Sequence, residues 1–270
     1  MKYREFAPPA DLQHIVHFYW TLSTDNTAPA FSPFQTIANG CTGLIYHHTN
    51  NKLAFAEDGT NKLPRLFLYG QFTSHGALYM SPGAQIIGIT FHPHILKMLF
   101  GLDANEVTDQ AIDADLITPG LVNKLQQAET AEQCFQLFST FLRQHIRQKE
   151  SSNFAIAHSI DRIIQSGGNI PTHKLYKSLN ISERQFERRF KQNVGLTPKF
   201  FSRVIRFKYA LNQVRNNNYQ LLSDIAFDNG YADQSHFTRE FKEFAGLKPS
   251  GYRSREATFL CQKLEQAVAV

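Results

Sequence analysis

The groups in this chain best suited to chemistry on a charged partner lie near its C-terminus, in DQSHFTREFKEFAGLKPSGYR, residues 233–253. Gln234, Ser235, His236, Arg239 and Lys242 are polar or cationic groups able to reach nucleic-acid base edges or phosphates. Between them Phe237, Phe241 and Phe244 fall at i, i+4 and i+7, a stripe that a helix gathers on one face. Asp233 suits the N-cap of that helix, Gly246 its C′ position, and Pro249 forbids simple continuation. Taken alone, the segment fits a solvated surface helix better than a reading head.

The segment occurs twice. A shift of 51 residues places Ser182 on Asp233, Phe186 on Phe237, Arg188 on Arg239, Phe190 on Phe241 and Lys191 on Lys242. The same shift carries Gly195 onto Gly246, Leu196 onto Leu247, Pro198 onto Pro249 and Phe201 onto Tyr252. Cap, core, charge and terminator agreeing in one register mark a duplicated supersecondary unit.

Other chemistry-bearing groups are sparse. His92-Pro93-His94 has the spacing that points two imidazoles to one face of a strand, and His47-His48 stand nearby in type. No carboxylate follows His94 within eight residues, so capping and packing are the expected roles and no metal is expected. Cys41, Cys134 and Cys261 form neither a disulfide framework nor a CxxC knuckle, which fits a reducing cytoplasm. No nucleophilic serine motif, phosphate loop or carboxylate pair stands out; the chain reads as a non-enzyme without a cofactor.

The elements that must position the two units divide the chain. Its 270 residues suggest two domains, and charge divides with them. Residues 151–270 hold 18 lysines and arginines against 10 acidic residues, a net of +8, while residues 1–150 carry a net of −3. A polyanion partner is therefore expected for the C-terminal part. No signal peptide or membrane-length apolar run is visible, and no membrane partner is expected.

Residues 8–20 have apolar positions at helical spacing, so a short helix is expected to lead into the first strand, and residues 21–35 read more as loop than as an element. GLIYHH, KLAFAE, LFLYGQF, GALYM and AQIIGITF then read as short strands of a small antiparallel sheet or sandwich. A helix over residues 95–100 ends at Gly101. Residues 103–117 are acidic and loop-like, with helical potential. Residues 121–127 and 130–148 read as helices, the second opened by a Thr130…Gln133 capping box; its stripe of Phe135, Phe138, Phe141, Leu142 and Ile146 suits either the β domain or a second subunit. Residues 149–153 are the linker candidate. Beyond them the pattern is all helical: residues 155–165, then HKLYKS, a turn, and the helix capped by Ser182; residues 198–214; then SDIAFDN, a turn at Gly230-Tyr231-Ala232, and the helix capped by Asp233. Each pair is a helix-turn-helix. The helix between them, roughly 25 Å long, is a rod able to hold two heads about one DNA turn, roughly 34 Å, apart. The expected fold class is α+β: an antiparallel β domain with flanking helices over 1–150, an all-α domain of two helix-turn-helix units over 151–256, and a tail over 257–270.

The C-terminal pattern resembles the AraC/XylS family of bacterial transcription regulators across about residues 153–256. Ile225-Ala226, Gly230-Tyr231, Ser235-x-Phe237-x-Arg239-x-Phe241-Lys242 and Gly246-x-x-Pro249-x-x-Tyr252-Arg253 occur in the family's order. The first unit departs by carrying Leu175-Tyr176 where Leu-Ala is usual. The N-terminal part resembles the β-rich sensor-like domains of a subset of such regulators, through Pro9-x-x-Leu12, Tyr19-Trp20 and Gly88-Ile89-x-Phe91-x-Pro93.

The resemblance implies base reading by Arg184, Glu187 and Arg188 in the first unit and Ser235, His236 and Arg239 in the second. Their chemistry agrees: arginine bonds guanine O6 and N7 together, and glutamate accepts from cytosine N4. Phosphate contacts are expected from Arg189, Lys191, Arg203, Arg206, Lys208 and Lys242, and from the helix N-termini at Ser182 and Asp233. Phe186, Phe190, Phe237, Phe241, Ile225 and Ala226 are expected in the core. The implied partners are double-stranded DNA, RNA polymerase, a small-molecule effector of the N-terminal domain and a second copy of the chain, at the bacterial nucleoid. Two other readings stand beside it: an N-terminal domain that binds a protein, and an Ada-like repair enzyme. The latter needs clustered zinc-ligand cysteines, which three scattered ones do not supply.

Overall fold

The computed structural model describes residues 1–27, 32–47, 53–54, 60–146, 154–216 and 219–253. The linker candidate at 149–153 and the tail lie outside the described residues, as does most of KLAFAE.

The chain opens with β1 (Lys2–Phe6), a 3-10 turn (Ala10–Leu12) and β2 (Val16–Ser23), followed by β3 (Ser32–Thr36), β4 (Thr42–His47), β5 (Leu53–Ala54), β6 (Leu66–Tyr69), β7 (Gly76–Met80) and β8 (Gln85–Phe91). Then come α1 (Ile95–Phe100), β9 (Ala111–Asp113) between two further 3-10 turns, α2 (Leu121–Gln126) and α3 (Ala131–His145). The strands form a six-stranded antiparallel sheet in the order β1-β2-β8-β4-β6-β9 and a three-stranded sheet in the order β3-β7-β5.

Period-two alternation gives the large sheet two apolar faces. Tyr19, Leu44, Tyr46, Leu66, Leu68, Ile89 and Phe91 face α1 and α3, whose Phe138, Phe141 and Leu142 complete that core. Trp20, Leu22, Ile45, Phe67, Tyr69 and Ile86 face the small sheet through Phe34, Leu78 and Met80. The capping box of α3 is present, with Gln133 N donating to Thr130 Oγ1 at 3.2 Å. Its apolar stripe packs on the sheet, Phe135 stacking on Tyr19 at 4.9 Å between centroids.

Three expectations for this half are corrected. Residues 8–20 are a 3-10 turn and most of a strand, not a helix; β2 is buried on both faces, and a strand in that setting reads as an unbroken apolar run. The stretch 21–35 holds the end of β2 and most of β3. The acidic stretch 103–117 has the helical potential expected of it, as two 3-10 turns, but between them holds β9, paired with β6.

The helical half runs α4 (Phe154–Gln165), α5 (Thr172–Ser178), α6 (Glu183–Val194), α7 (Pro198–Arg215), α8 (Leu222–Asp228), α9 (Gln234–Ala245) and α10 (Pro249–Arg253). Fully buried Phe186, Phe190, Phe201, Phe207, Phe237, Phe241 and Phe244 form its centre. The ring contacts repeat between the units: Phe186–Phe190 at 5.7 Å and Phe190–Phe201 at 5.8 Å match Phe237–Phe241 and Phe241–Tyr252, both at 5.6 Å. Each such ring buried contributes about 1.5–3 kcal/mol before entropy. The core is not confined to the helices. Ile37 and Ala38, in the crossing from β3 to β4, are buried within it.

Candidate nucleic-acid interface

Each second helix is built the same way from its ends inward. Ser182 Oγ accepts from Gln185 N at 3.3 Å and Asp233 Oδ1 from His236 N at 2.7 Å, so both residues cap their helices. Gly195 and Gly246 close them in the left-handed conformation, at φ +92° and +76°. With the phenylalanines turned inward, Arg184, Glu187, Arg188, Arg189 and Lys191 stand exposed on α6, and Ser235, Arg239 and Lys242 on α9. Arg184, Arg188 and Lys191 share one face at i, i+4 and i+7; Ser235, Arg239 and Lys242 repeat that register. His236 is half-buried, its ring edge-on to Tyr231 at 5.3 Å.

The first helices of the two units differ by a shift of 50 rather than 51. The turn carries one residue more in the second unit: Asn180 at φ +52° is the counterpart of Gly230 at φ +73°. Ile181 N and Tyr231 N donate back to Tyr176 O and Ala226 O at 3.4 and 2.9 Å, which pairs Tyr176 with Ala226. Ala226 is buried at its crossing; Tyr176 is half-buried against the same core.

Two of the expected phosphate ligands, Arg203 and Arg206, also make contacts within the fold. Arg203 on α7 donates from Nε to Glu240 Oε2 and from Nη2 to Glu243 Oε2, both at 2.7 Å. Its guanidinium also lies 5.1 Å from the ring centres of Phe200 and Phe244. Arg206 lies over the Tyr231 ring at 5.3 Å, with Nη1 3.4 Å from Gly230 O. Burial and the neighbouring Glu240 push the Tyr231 phenol well above its usual range. These two arginines hold α7 to the second unit. Lys208 is half-buried on α7, close enough to His17 for its charge to disfavour protonation of that ring.

Sequence reading missed part of the basic surface. His173, Lys174 and Lys177 are exposed on α5, whereas α8 exposes Phe227 and Asp228 in the corresponding helix. The signal in the sequence is the local basic charge of HKLYKS, which has no counterpart in SDIAFDN. Of the four candidate metal-ligating histidines, His92 and His47 are engaged with backbone carbonyls: His92 Nε2 lies 2.9 Å from Gln13 O, and His47 Nε2 2.9 Å from Pro64 O. Among the described residues no group of three or more metal-ligating side chains forms, and no helix is long and apolar enough to cross a membrane.

A helix-turn-helix domain family matches residues 175–255, and a domain of unknown function (DUF6597) matches residues 4–113. The Msm operon regulatory protein of Streptococcus mutans is 25% identical over 119 residues, 43% of this chain and 42% of that protein. The lactose operon transcription activator of Staphylococcus xylosus is 31% identical over 107 residues, 39% of this chain and 38% of that protein. The chain thus spans about two fifths of the length of these relatives. Among solved structures, ToxT from Vibrio cholerae O395 bound to (E)-4-(8-methylnaphthalen-1-yl)but-3-enoic acid aligns at a TM-score of 0.48 and 14% identity, covering 87% of this chain and 98% of that one.

Proposed function

We propose that this chain, whose residues 175–255 match a helix-turn-helix domain family, is an AraC-type protein that regulates transcription by reading two adjacent major-groove segments of duplex DNA. The observation that carries this reading is the register shared by Arg184, Arg188, Lys191 and Ser235, Arg239, Lys242 on two capped helices of one chain. Arg184, Glu187, Arg188, Ser235, Arg239 and the half-buried His236 read bases. Arg189, Lys191, Lys242 and Lys208, with the N-termini at Ser182 and Asp233, take phosphates, joined by Lys174 and Lys177 on α5. The 18 residues of α7 extend about 27 Å, which suits heads about one helical turn apart.

The test is selection of bound sequences from a random duplex pool by the full chain. Two preferred blocks about one turn apart, with affinity falling steeply as salt rises, are expected. A recovered pool as random as the starting one sinks the reading.

Residues 1–146 form the sensing or partner-binding part, and the helical part acts in the cytoplasm on the nucleoid. Small-molecule control is favoured by one observation: an open concavity of about 630 Å³ on the large sheet, bordered by Lys2, Arg4, Tyr46, Gln85 and Cys134. A second copy of the chain and RNA polymerase are the further partners of this reading.

A further inference from the structure

Both reading helices end on the N-terminal half of the chain. A helix leaves its last carbonyls without donors of its own. At the end of α9, Lys242 O is met by Gly246 N at 2.9 Å, and the next three carbonyls are met from the β part. Glu243 O accepts from the backbone N–H of His75 at 3.3 Å and faces its Nδ1 at 3.1 Å. Phe244 O accepts from Ala38 N at 3.3 Å, and Ala245 O from Gln35 Nε2 at 2.8 Å. A Cβ on Gly246 would come within 2.6 Å of Gln35 Nε2 and His75 Cδ2, so this glycine admits the grip as well as the turn.

The matching end of α6 also rests on the N-terminal half, through fewer bonds. Thr108 Oγ1 donates to Gly195 O at 3.0 Å, and Gln192 Nε2 to Asp103 Oδ2 at 3.2 Å. A Cβ on Gly195 would lie 2.9 Å from Thr108 Oγ1 and 3.1 Å from Ala104 O.

The two grips are tied together by one side chain. Asp109 accepts from Thr73 N through Oδ1 and from Thr73 Oγ1 through Oδ2, each at 2.7 Å, while its own N–H donates to Gln71 O at 2.8 Å. It does so from the left-handed conformation, at φ +57°. A path of hydrogen bonds and short backbone steps therefore runs from Gly195 through Thr108, Asp109, Thr73 and His75 to Glu243, a strut that joins the ends of α6 and α9 without passing through α7.

We infer that Asp109 is a positioning residue for DNA reading: it locks the strut that fixes α6 relative to α9, so the N-terminal half sets the half-site spacing that the protein accepts. With α7 alone, each head could rock about its packing on one rod. With the strut, rod and heads close into a frame. The inference rests on the two-head reading above.

The test uses the full chain and the duplex recovered by selection, with each half-site alone and with the spacing changed base pair by base pair. Asp109→Gly keeps the left-handed backbone at no steric cost and removes both acceptors. Affinity for each isolated half-site is expected to stay within about twofold. The advantage of the correctly spaced duplex over a single half-site is expected to fall roughly tenfold, with a broader spacing profile. A spacing profile in folded Asp109→Gly equal to that of the unaltered chain overturns the inference. Thr73→Val, which removes the hydroxyl bond alone, is measured in parallel and decides the matter should Asp109→Gly not fold; an unchanged profile there overturns it too. Failure of the unaltered chain to select any sequence counts against the two-head reading itself, before any variant is made.

Discussion

Arg239 stands exposed on α9, whereas Arg203, one helix away, is clamped between Glu240 and Glu243 and lies against Phe200 and Phe244. The same residue type is thus left free on the surface in one place and used for assembly in the other; the proposed reading gives Arg239 to recognition. Arg239→Ala is expected to weaken specific binding by about 1–3 kcal/mol and to relax base preference at one position, leaving stability within about 0.5 kcal/mol. Arg203→Met leaves the Glu240 carboxylate, 2% exposed, without its cation. Because Arg203 is itself 30% exposed, the loss is expected at roughly 2–3 kcal/mol, below that for a fully buried pair. Urea unfolding and DNA titration of both variants separate the two roles; a reduced salt slope in Arg203→Met at unchanged stability would return that arginine to the phosphates. The sequence could not make this distinction, since Glu240 lies 37 residues from Arg203 and only the crossing of α7 and α9 brings them together.

At the level of elements, the helical half was legible because the same instruction is written twice. Caps, stripes and terminating glycines each predicted a boundary that the structure repeats. The small helix α10 is written in the same repeat: the 51-residue shift lays Pro249 and Tyr252 over Pro198 and Phe201, the first turn of α7. The β half was legible only in part. Strands buried on both faces, as β2 is, lose the alternation that separates a strand from a helix, and β9 is three residues long. The grips on α6 and α9 left no trace in periodicity, because Thr108, Asp109 and Thr73 act through single side chains in turns. Phe241 is the element-scale keystone, with rings of Phe207, Phe237 and Tyr252 at 5.3–5.6 Å. Phe241→Ala is expected to destabilise by about 3–5 kcal/mol. Thermal unfolding that stays within a degree of the unaltered chain would show that α9 is held mainly by its polar grips.

For the whole molecule, the seam between its halves carries a pH dependence. Burial holds the His17 imidazole down to about 3, aided by the charges of Lys208 and His92. Burial with His92 holds His94 down to about 4. His92 is lowered by burial, with His14 acting in the same direction, against its bond to Gln13 and the pull of Asp161. The unfolded chain takes up these protons near pH 6.5, before the folded one does, so stability is full above that value and is lost as pH falls toward 4. At pH 5 the His17 and His94 rings are each expected to cost about 2 kcal/mol. Urea midpoints at pH 7.5 and 5 check this, and His17→Gln should narrow the gap; equal midpoints in the unaltered chain would refute it. The seam has another consequence, in time rather than in energy. Ala38 finds its acceptor on Phe244, some two hundred residues downstream, and Ile37 beside it is covered by helices translated after it. At roughly 5–20 residues per second, the ribosome leaves that crossing uncovered for roughly 10–40 s. The crossing between β3 and β4 is therefore finished last, by helices not yet made when it emerges.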